Sequence, residues 1–213
     1  LWGSSMSGGH VLVIASELAD PATTPAGVTL RAVVSQTPHL DGRENRKKNM
    51  KPPPEGRGIL GALTISLASL CDIARSVASQ PPAYIPIVGP LGSVSLMPLP
   101  KEELHLYFRK HPPQRGGGWQ NMAPARLALR VGFYSPIDFV PNVTAPALFV
   151  AADQDTLCPA SVVRAASKLV GGSTEAEMLT LNCGHFGTYY DANFDQASEK
   201  MSSFFFANFD RDE

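Results

Sequence analysis

The spacing of hydrophobic and polar positions changes several times along the chain, and each change marks an element. Residues 8–19 place Val11, Leu12, Ile14, Ala15 and Leu18 at helical intervals, and the turn-rich DPATTPAG closes that segment. VTLRAVVSQT then reads as a buried strand ending near Ser35. HLDGRENRKKNMKPPPEGRG is a polar excursion broken by prolines. Helical periods return at about 59–79, 101–110 and 120–133. Between them lie PPAYIPIVGPLGS and HPPQRGGG, whose prolines and glycines continue neither a helix nor a strand. APALFVAAD is a second apolar strand and SVVRAASKLV, after Pro159, a helix. EAEMLTL is a third strand, and FDQASEKMSSFFFANF a closing amphipathic helix. Strands alternating with helices imply an α/β chain with a parallel sheet and crossover helices.

Composition narrows the picture less. The 213 residues, 44% of them hydrophobic, suffice for one large domain or two small ones. Lys and Arg number 18 against 19 Asp and Glu, a net charge of -1, so no global field recruits nucleic acid or an anionic membrane. The basic run Arg43 to Lys51 lacks interleaved aromatics and sits between prolines, as a solvated surface does. Cys71, Cys158 and Cys183 form an odd set without metal-ligand spacing, and the first residues lack the basic start of a secretory signal; both point to a reducing, cytoplasmic setting. Asn142 in NVT matches a glycosylation acceptor, which that setting leaves unused. The longest apolar stretch, from Ile59, meets Asp72 and Arg75 before the roughly 20 residues that cross a bilayer, so no membrane span is expected.

Chemistry concentrates in LWGSSMSGGHVLVIA, which has the form of a strand end, a tight turn and a helix start. A nucleophilic serine at such an apex needs small residues two before and two after it, because the backbone doubles back sharply. Ser5 meets this with Gly3 and Ser7; Ser4 does not, having Trp2 and Met6 in those places. Ser7 also has small neighbours, Ser5 and Gly9, but would set the apex deeper in the helix. A glycine-rich phosphate cradle is the other reading of the turn, and the absence of a lysine after the glycines speaks against a P-loop.

A serine hydroxyl needs a histidine to take its proton, and the histidine needs an acid to hold its tautomer. Asp153 and Asp155 follow the strand APALFVAAD, and His185 follows the next strand. Asp155 lies beyond the strand end and suits the acid role; Asp153 is better placed to fix the loop, and Asp41 in PHLDG is a third candidate. His10 is expected in a helix seam, His39 at a loop start, and His105 and His111 in the insert. Tyr189 and Tyr190 either line a pocket or pack the last helix.

GSSMSGGHVL, VAADQDTLCP and CGHFGTYYDANFDQASEKMSSFF together resemble the serine-nucleophile α/β-hydrolase superfamily, most closely esterase- and peptidase-like members whose elbow reads GTSFSGGH. Fungal polyketide transferases are similar too, and PPAYIPIVGPLGS is similar to the helical insert of this group. The resemblance implies Ser5 as nucleophile, Asp155 as acid, His185 as base and the Met6 backbone N–H as one oxyanion donor, with no cofactor and no metal. Ser4 in place of Thr and Met6 in place of an aromatic are departures that bear on pocket shape.

In that family about five strands precede the elbow and a second oxyanion donor follows an early strand. The chain is therefore expected to be the C-terminal portion of the fold, keeping about three strands and a helical lid. Residues 1–41 would be core, 42–135 the lid or insert, and 136–213 the core carrying acid and histidine. Ile59, Leu63, Leu67, Leu70, Ile85, Ile87, Leu91, Leu96 and Leu99 would give the lid an apolar roof, which favours esters, thioesters or lactones. The expected activity is hydrolysis of a small acyl substrate through an acyl-enzyme. Acyl transfer to an alcohol by the same residues, or an inactive remnant, are the alternatives.

Overall fold

The computed structural model describes residues 1–53, 55–114, 118–171 and 176–209. The chain forms two units, 1–41 with 135–213, and 42–134. In chain order the first unit opens with β1 (Trp2–Ser4), α1 (Met6–Glu17) and β2 (Val33–Gln36). The second holds α2 (Gly42–Met50), α3 (Gly58–Val77), β3 (Tyr84–Ile85), β4 (Val88–Pro90), β5 (Met97–Leu99), α4 (Lys101–Lys110), β6 (Ala123–Pro124) and α5 (Arg126–Phe133). The chain then returns to the first unit through a 3-10 turn (Pro136–Asn142), β7 (Ala147–Ala152), α6 (Ala160–Ser167), β8 (Glu177–Leu181), a second 3-10 turn (His185–Tyr189) and α7 (Asp191–Phe209).

The first unit is built on a parallel sheet of order β1-β2-β7-β8. The sequence reading of about three strands falls short by one: Trp2–Ser4 pairs with Val34–Gln36 and adds a short fourth strand. Every residue of β2 and β7 is buried; β7 reads as an unbroken apolar run, while β2 pairs two valines with the buried polar side chains of Ser35 and Gln36. Alternate side chains serve opposite faces. Val33, Phe149 and Ala151 pack on one face with Leu12 of α1 and Val163 of α6. Val34, Leu148, Val150 and Ala152 pack on the other with Ala197 and Phe204 of α7. Parallel strands end on the same side, so the segments after β1, β7 and β8 emerge together.

The second unit departs further from its sequence pattern. GRENRKKNM is helical, although it has no apolar period, with Lys47 paired to Glu44 at 2.6 Å along one face. Residues 120–125 are not helical: Ala123–Pro124 pairs antiparallel with Tyr84–Ile85, and the Asn121 amide bonds both the N–H and the carbonyl of Val88. PPAYIPIVGPLGS thus contributes strands after all, too short to show a period of two. Ile85 and Leu99 are buried, whereas Ile59, Leu63, Leu67 and Leu70 are exposed.

The helix α3 runs 20 residues, continuing past Asp72 and Arg75, the charges that interrupt its apolar stretch. Asp72 is fully buried; its carboxylate accepts the N–H of Ala83 at 2.8 Å, the N–H of Arg126 at 3.0 Å and Nε of Arg126 at 2.8 Å. Burial alone would raise this carboxyl, but the bonds from Arg126 and Ala83 and the Arg126 charge hold it below its ordinary value. By length and composition α3 is long and apolar enough to cross a membrane, the one such helix among the described residues.

Gly9 tests how tightly the first unit is closed. A Cβ there would lie 2.4 Å from the His39 carbonyl oxygen and 2.7 Å from Cγ of Pro136. Gly9→Ala is expected to destabilise the fold by about 1–3 kcal/mol through overpacking, read by urea unfolding of the full chain.

Candidate active site

Ser5 joins β1 to α1 with φ 55° and ψ -118°, a backbone conformation that costs a non-glycine residue roughly 1–3 kcal/mol. Neighbouring strand ends hold it there. Its N–H donates to the Gln36 carbonyl at 2.9 Å, and its own carbonyl accepts the His39 N–H at 2.9 Å. The turn is so sharp that a Cβ on Gly3 would sit 2.2 Å from the Ser7 carbonyl oxygen. Past the apex, Gly8 would meet Cβ of Pro38 at 2.9 Å, and the Ser35 hydroxyl donates to the Gly8 carbonyl at 2.8 Å. The sequence singles out Gly3 and Ser7 around Ser5 and Gly9 only as a neighbour of Ser7, and gives Gly8 no role. The adjacent glycine pair was the available signal that α1 approaches another backbone closely.

Segments after β7 and β8 bring the two partners to Ser5. His185 Nε2 lies 3.1 Å from Ser5 Oγ, and His185 Nδ1 lies 2.6 Å from Asp155 Oδ2. The other oxygen of Asp155 accepts the N–H groups of Leu157 at 2.7 Å and Cys158 at 2.8 Å, which fixes the carboxylate plane. Both partners are buried, His185 to 1% exposure and Asp155 to 6%. Burial alone would push the His185 imidazole down. The hydrogen bond and charge of Asp155, reinforced by Cys158, outweigh it and raise the imidazole well above its ordinary value. Phe186 packs edge-on at 5.0 Å between ring centres.

The remaining candidates fall elsewhere. Ser7 is an exposed residue in the first turn of α1. Ser4 faces Tyr189, with hydroxyl oxygens 2.5 Å apart, so the Tyr189 side chain ties the turn after β8 to the end of β1. Asp153 is exposed, and Asp41 accepts the Ser135 hydroxyl at 3.2 Å. His10 is exposed on α1 instead of lying in a helix seam, because the buried face of α1 is set by Gly8, Gly9, Val11, Leu12, Ala15 and Ser16. His39 is buried beside the elbow, and His105 and His111 belong to the second unit. Met6 is the first residue of α1, where backbone N–H groups have no partner within the helix.

Cys158 is the residue the sequence reading did not connect with this site. Asp155, Cys158 and His185 offer ligand atoms within 4.8 Å of one another, a mixed O, S, N set suited to a borderline-soft cation such as zinc. Seating an ion there would compete with the Asp155–His185 bond. A cysteine three residues after the acid gave no signal, because the third ligand comes from another loop.

The parallel sheet, the strained serine turn and the order serine, acid, histidine after β1, β7 and β8 define the α/β-hydrolase fold. No protein-family model matches the chain. The quorum-quenching protein AidA of Acinetobacter baumannii strain MDR-ZJ06 is 28% identical over 205 residues, covering 96% of this chain and 60% of AidA. The chain thus spans about three fifths of that relative's length. Among solved structures, DcsB in complex with its substrate analogue superposes with a TM-score of 0.66 at 17% identity, over 98% of this chain and 64% of DcsB. The α/β hydrolase GrgF of Penicillium sp. sh18 gives 0.64 at 16%, over 98% of this chain and 63% of GrgF.

The opposing influences on His185 can be separated. Because the folded imidazole is raised, the stability it lends is complete below its unfolded value and is lost as pH rises through the folded one. Asp155→Asn removes the opposing charge and leaves burial in place. The His185 midpoint, followed by NMR of the imidazole protons, is expected to fall in that variant; an unchanged midpoint would show that Asp155 does not hold the ring.

Proposed function

We propose that the chain carries the chemistry of a serine hydrolase acting on a small ester, thioester or lactone. The continuous path Asp155–His185–Ser5, closed by contacts of 2.6 and 3.1 Å, carries this reading. Ser5 Oγ attacks the carbonyl carbon while His185 Nε2 takes the hydroxyl proton. Charge that gathers on the carbonyl oxygen is met by the Met6 N–H at the positive end of α1. As the tetrahedral adduct collapses, the bond to the leaving oxygen or sulfur breaks and the imidazolium returns its proton to that atom. Water then repeats the attack on the Ser5 ester, giving its proton to His185, and the acid leaves with Ser5 restored.

Asp155 keeps the imidazole in the tautomer whose free lone pair faces Ser5 and stabilises the imidazolium. The raised His185 value suits this, since it favours the charged ring of the transition state. It also means that the free enzyme loses its base as pH falls, so kcat/KM rises with pH through a midpoint above that of an ordinary imidazole. The hydrolase GrgF shares the fold, and the likeness to a quorum-quenching protein adds signal molecules with an acyl–oxygen bond to the substrates worth trying.

A fluorophosphonate probe, which modifies an activated serine, tests the assignment on the full chain. Labelling is expected in the unaltered protein and in Ser7→Ala, and lost in Ser5→Ala. Ester turnover should fall about 10⁴–10⁶-fold in Ser5→Ala and His185→Ala, and about 10⁴-fold in Asp155→Asn. Equal labelling of Ser5→Ala would remove Ser5 from the role.

A further inference from the structure

The helix α3 has its polarity reversed. Its buried positions are Ser69 and Asp72, while its exposed face is almost wholly apolar. Leu60, Leu63, Leu67, Leu70, Ala74 and Val77 follow one another at intervals of three and four, the spacing of a coiled-coil seam. The four leucines are 79%, 55%, 66% and 55% exposed in that order, Val77 is 84% exposed, and Ala74 is exposed too. We propose that this seam docks on the same seam of a second copy of the chain, as an antiparallel helix pair.

Area supports a partner of that size. With Ile59 and Ile73 at its margins, the face presents roughly 700 Å² of apolar surface, near the ~800 Å² each side gives to a standard interface and above the ~300–600 Å² of a typical monomer's largest patch. It is a convex stripe about 26 Å long at helical rise, not a concavity that would enclose a small ligand. A membrane fits less well. Spanning would carry the buried Asp72–Arg126 pair and the Ser69 bond to the Ala125 carbonyl into hydrocarbon. Lying on a lipid surface calls for a basic fringe, and between Gly58 and Cys71 the helix has no charged residue.

The residues also select the orientation. Antiparallel pairing about the middle of the seam sets Leu60 against Val77, Leu63 against Ala74 and Leu67 against Leu70 of the other copy. Each layer then combines the two alternating seam positions, and the small Ala74 is filled by a leucine. Parallel pairing would oppose Ala74 to Ala74 and leave a gap. Antiparallel helices also oppose their macrodipoles favourably.

Sedimentation of the full chain over about 1–100 μM tests the proposal, the range in which such an interface would dissociate if weak. A dimer is expected, weakened about 10²–10³-fold by Leu67→Lys, because each substitution enters the interface twice. Phe206→Lys, a change at an exposed apolar residue of α7, should leave the dimer intact, and circular dichroism should show both variants folded. Thr64 and Cys71 of opposite copies become neighbours only in the antiparallel arrangement, so Thr64→Cys should give a disulfide-linked dimer with the native Cys71. A monomer throughout the range, a Leu67→Lys dimer as tight as the unaltered one, or flotation of monomers with phosphatidylcholine vesicles would each overturn the proposal. A Leu67-dependent dimer without that crosslink would overturn the antiparallel register.

Discussion

The site depends on a backbone that would not hold its shape alone. Ser5 occupies a left-handed conformation that an isolated peptide would leave, and two hydrogen bonds, one to Gln36 at the end of β2 and one from His39 just beyond it, keep it there. Those bonds exist because β1 and β2 are parallel and in register, Gly3 beside Ser35 and Ser4 beside Gln36. The side chain at the apex is thereby pushed away from the sheet toward the ends of the neighbouring strands. The glycines on either side are the condition for this geometry: any Cβ at position 3, 8 or 9 would collide with backbone or a proline. Packing of the first unit and placement of its reactive hydroxyl are therefore one constraint.

Burial acts on the site in two directions. It excludes water from the Asp155–His185 bond and so strengthens it, while it penalises the charge that the bond creates. The structure resolves the conflict by giving Asp155 two backbone donors and aiming its remaining oxygen at the ring. The raised imidazole shows which side prevails. Tyr189 adds a further tie, since its bond to Ser4 joins the strand end that carries the serine to the 3-10 turn that begins at His185. The Ser5–His185 distance is thus held from both ends, by backbone bonds at the elbow and by a hydroxyl pair beside it.

What could be read in advance follows from the range of the forces involved. β7 is legible because full burial leaves a continuous apolar run, β2 from its adjacent valines, and α1 because its turn residues and helical period are local. Ser5, Asp155 and His185 are nominated by their positions after strand ends. Asp155 is preferred over Asp153 and Asp41 by its place beyond the strand end, but the contact that distinguishes it, with His185 across 30 residues, is visible only in the fold. Cys158 escaped for the same reason. In the second unit, α2 was invisible because its stability comes from ion pairs and neighbours instead of an apolar stripe. α5 starts at Arg126, later than the helical period from about 120 implies, because Ala123–Pro124 is drawn into a pairing with Tyr84–Ile85. His10 lies on the open face of α1 because Gly8 and Gly9, which carry no apolar signal, share the packed face with Val11 and Leu12.

The helix α3 carries the same lesson to the outer surface. A helical apolar period ordinarily marks the side that a helix buries, and on that rule Leu60, Leu63, Leu67 and Leu70 would form core. Here the helix is anchored instead by Asp72 and Ser69, which capture the backbone of Ala83, Ala125 and Arg126. Those polar bonds satisfy groups that would otherwise be stranded in the interior, and they leave the leucine face with no part in holding the second unit together. A surface so apolar carries a standing free-energy cost in water, about 25 cal/mol for each Å². Only a partner that covers the whole stripe removes that cost, and a second copy supplies a stripe of matching length and complementary volumes.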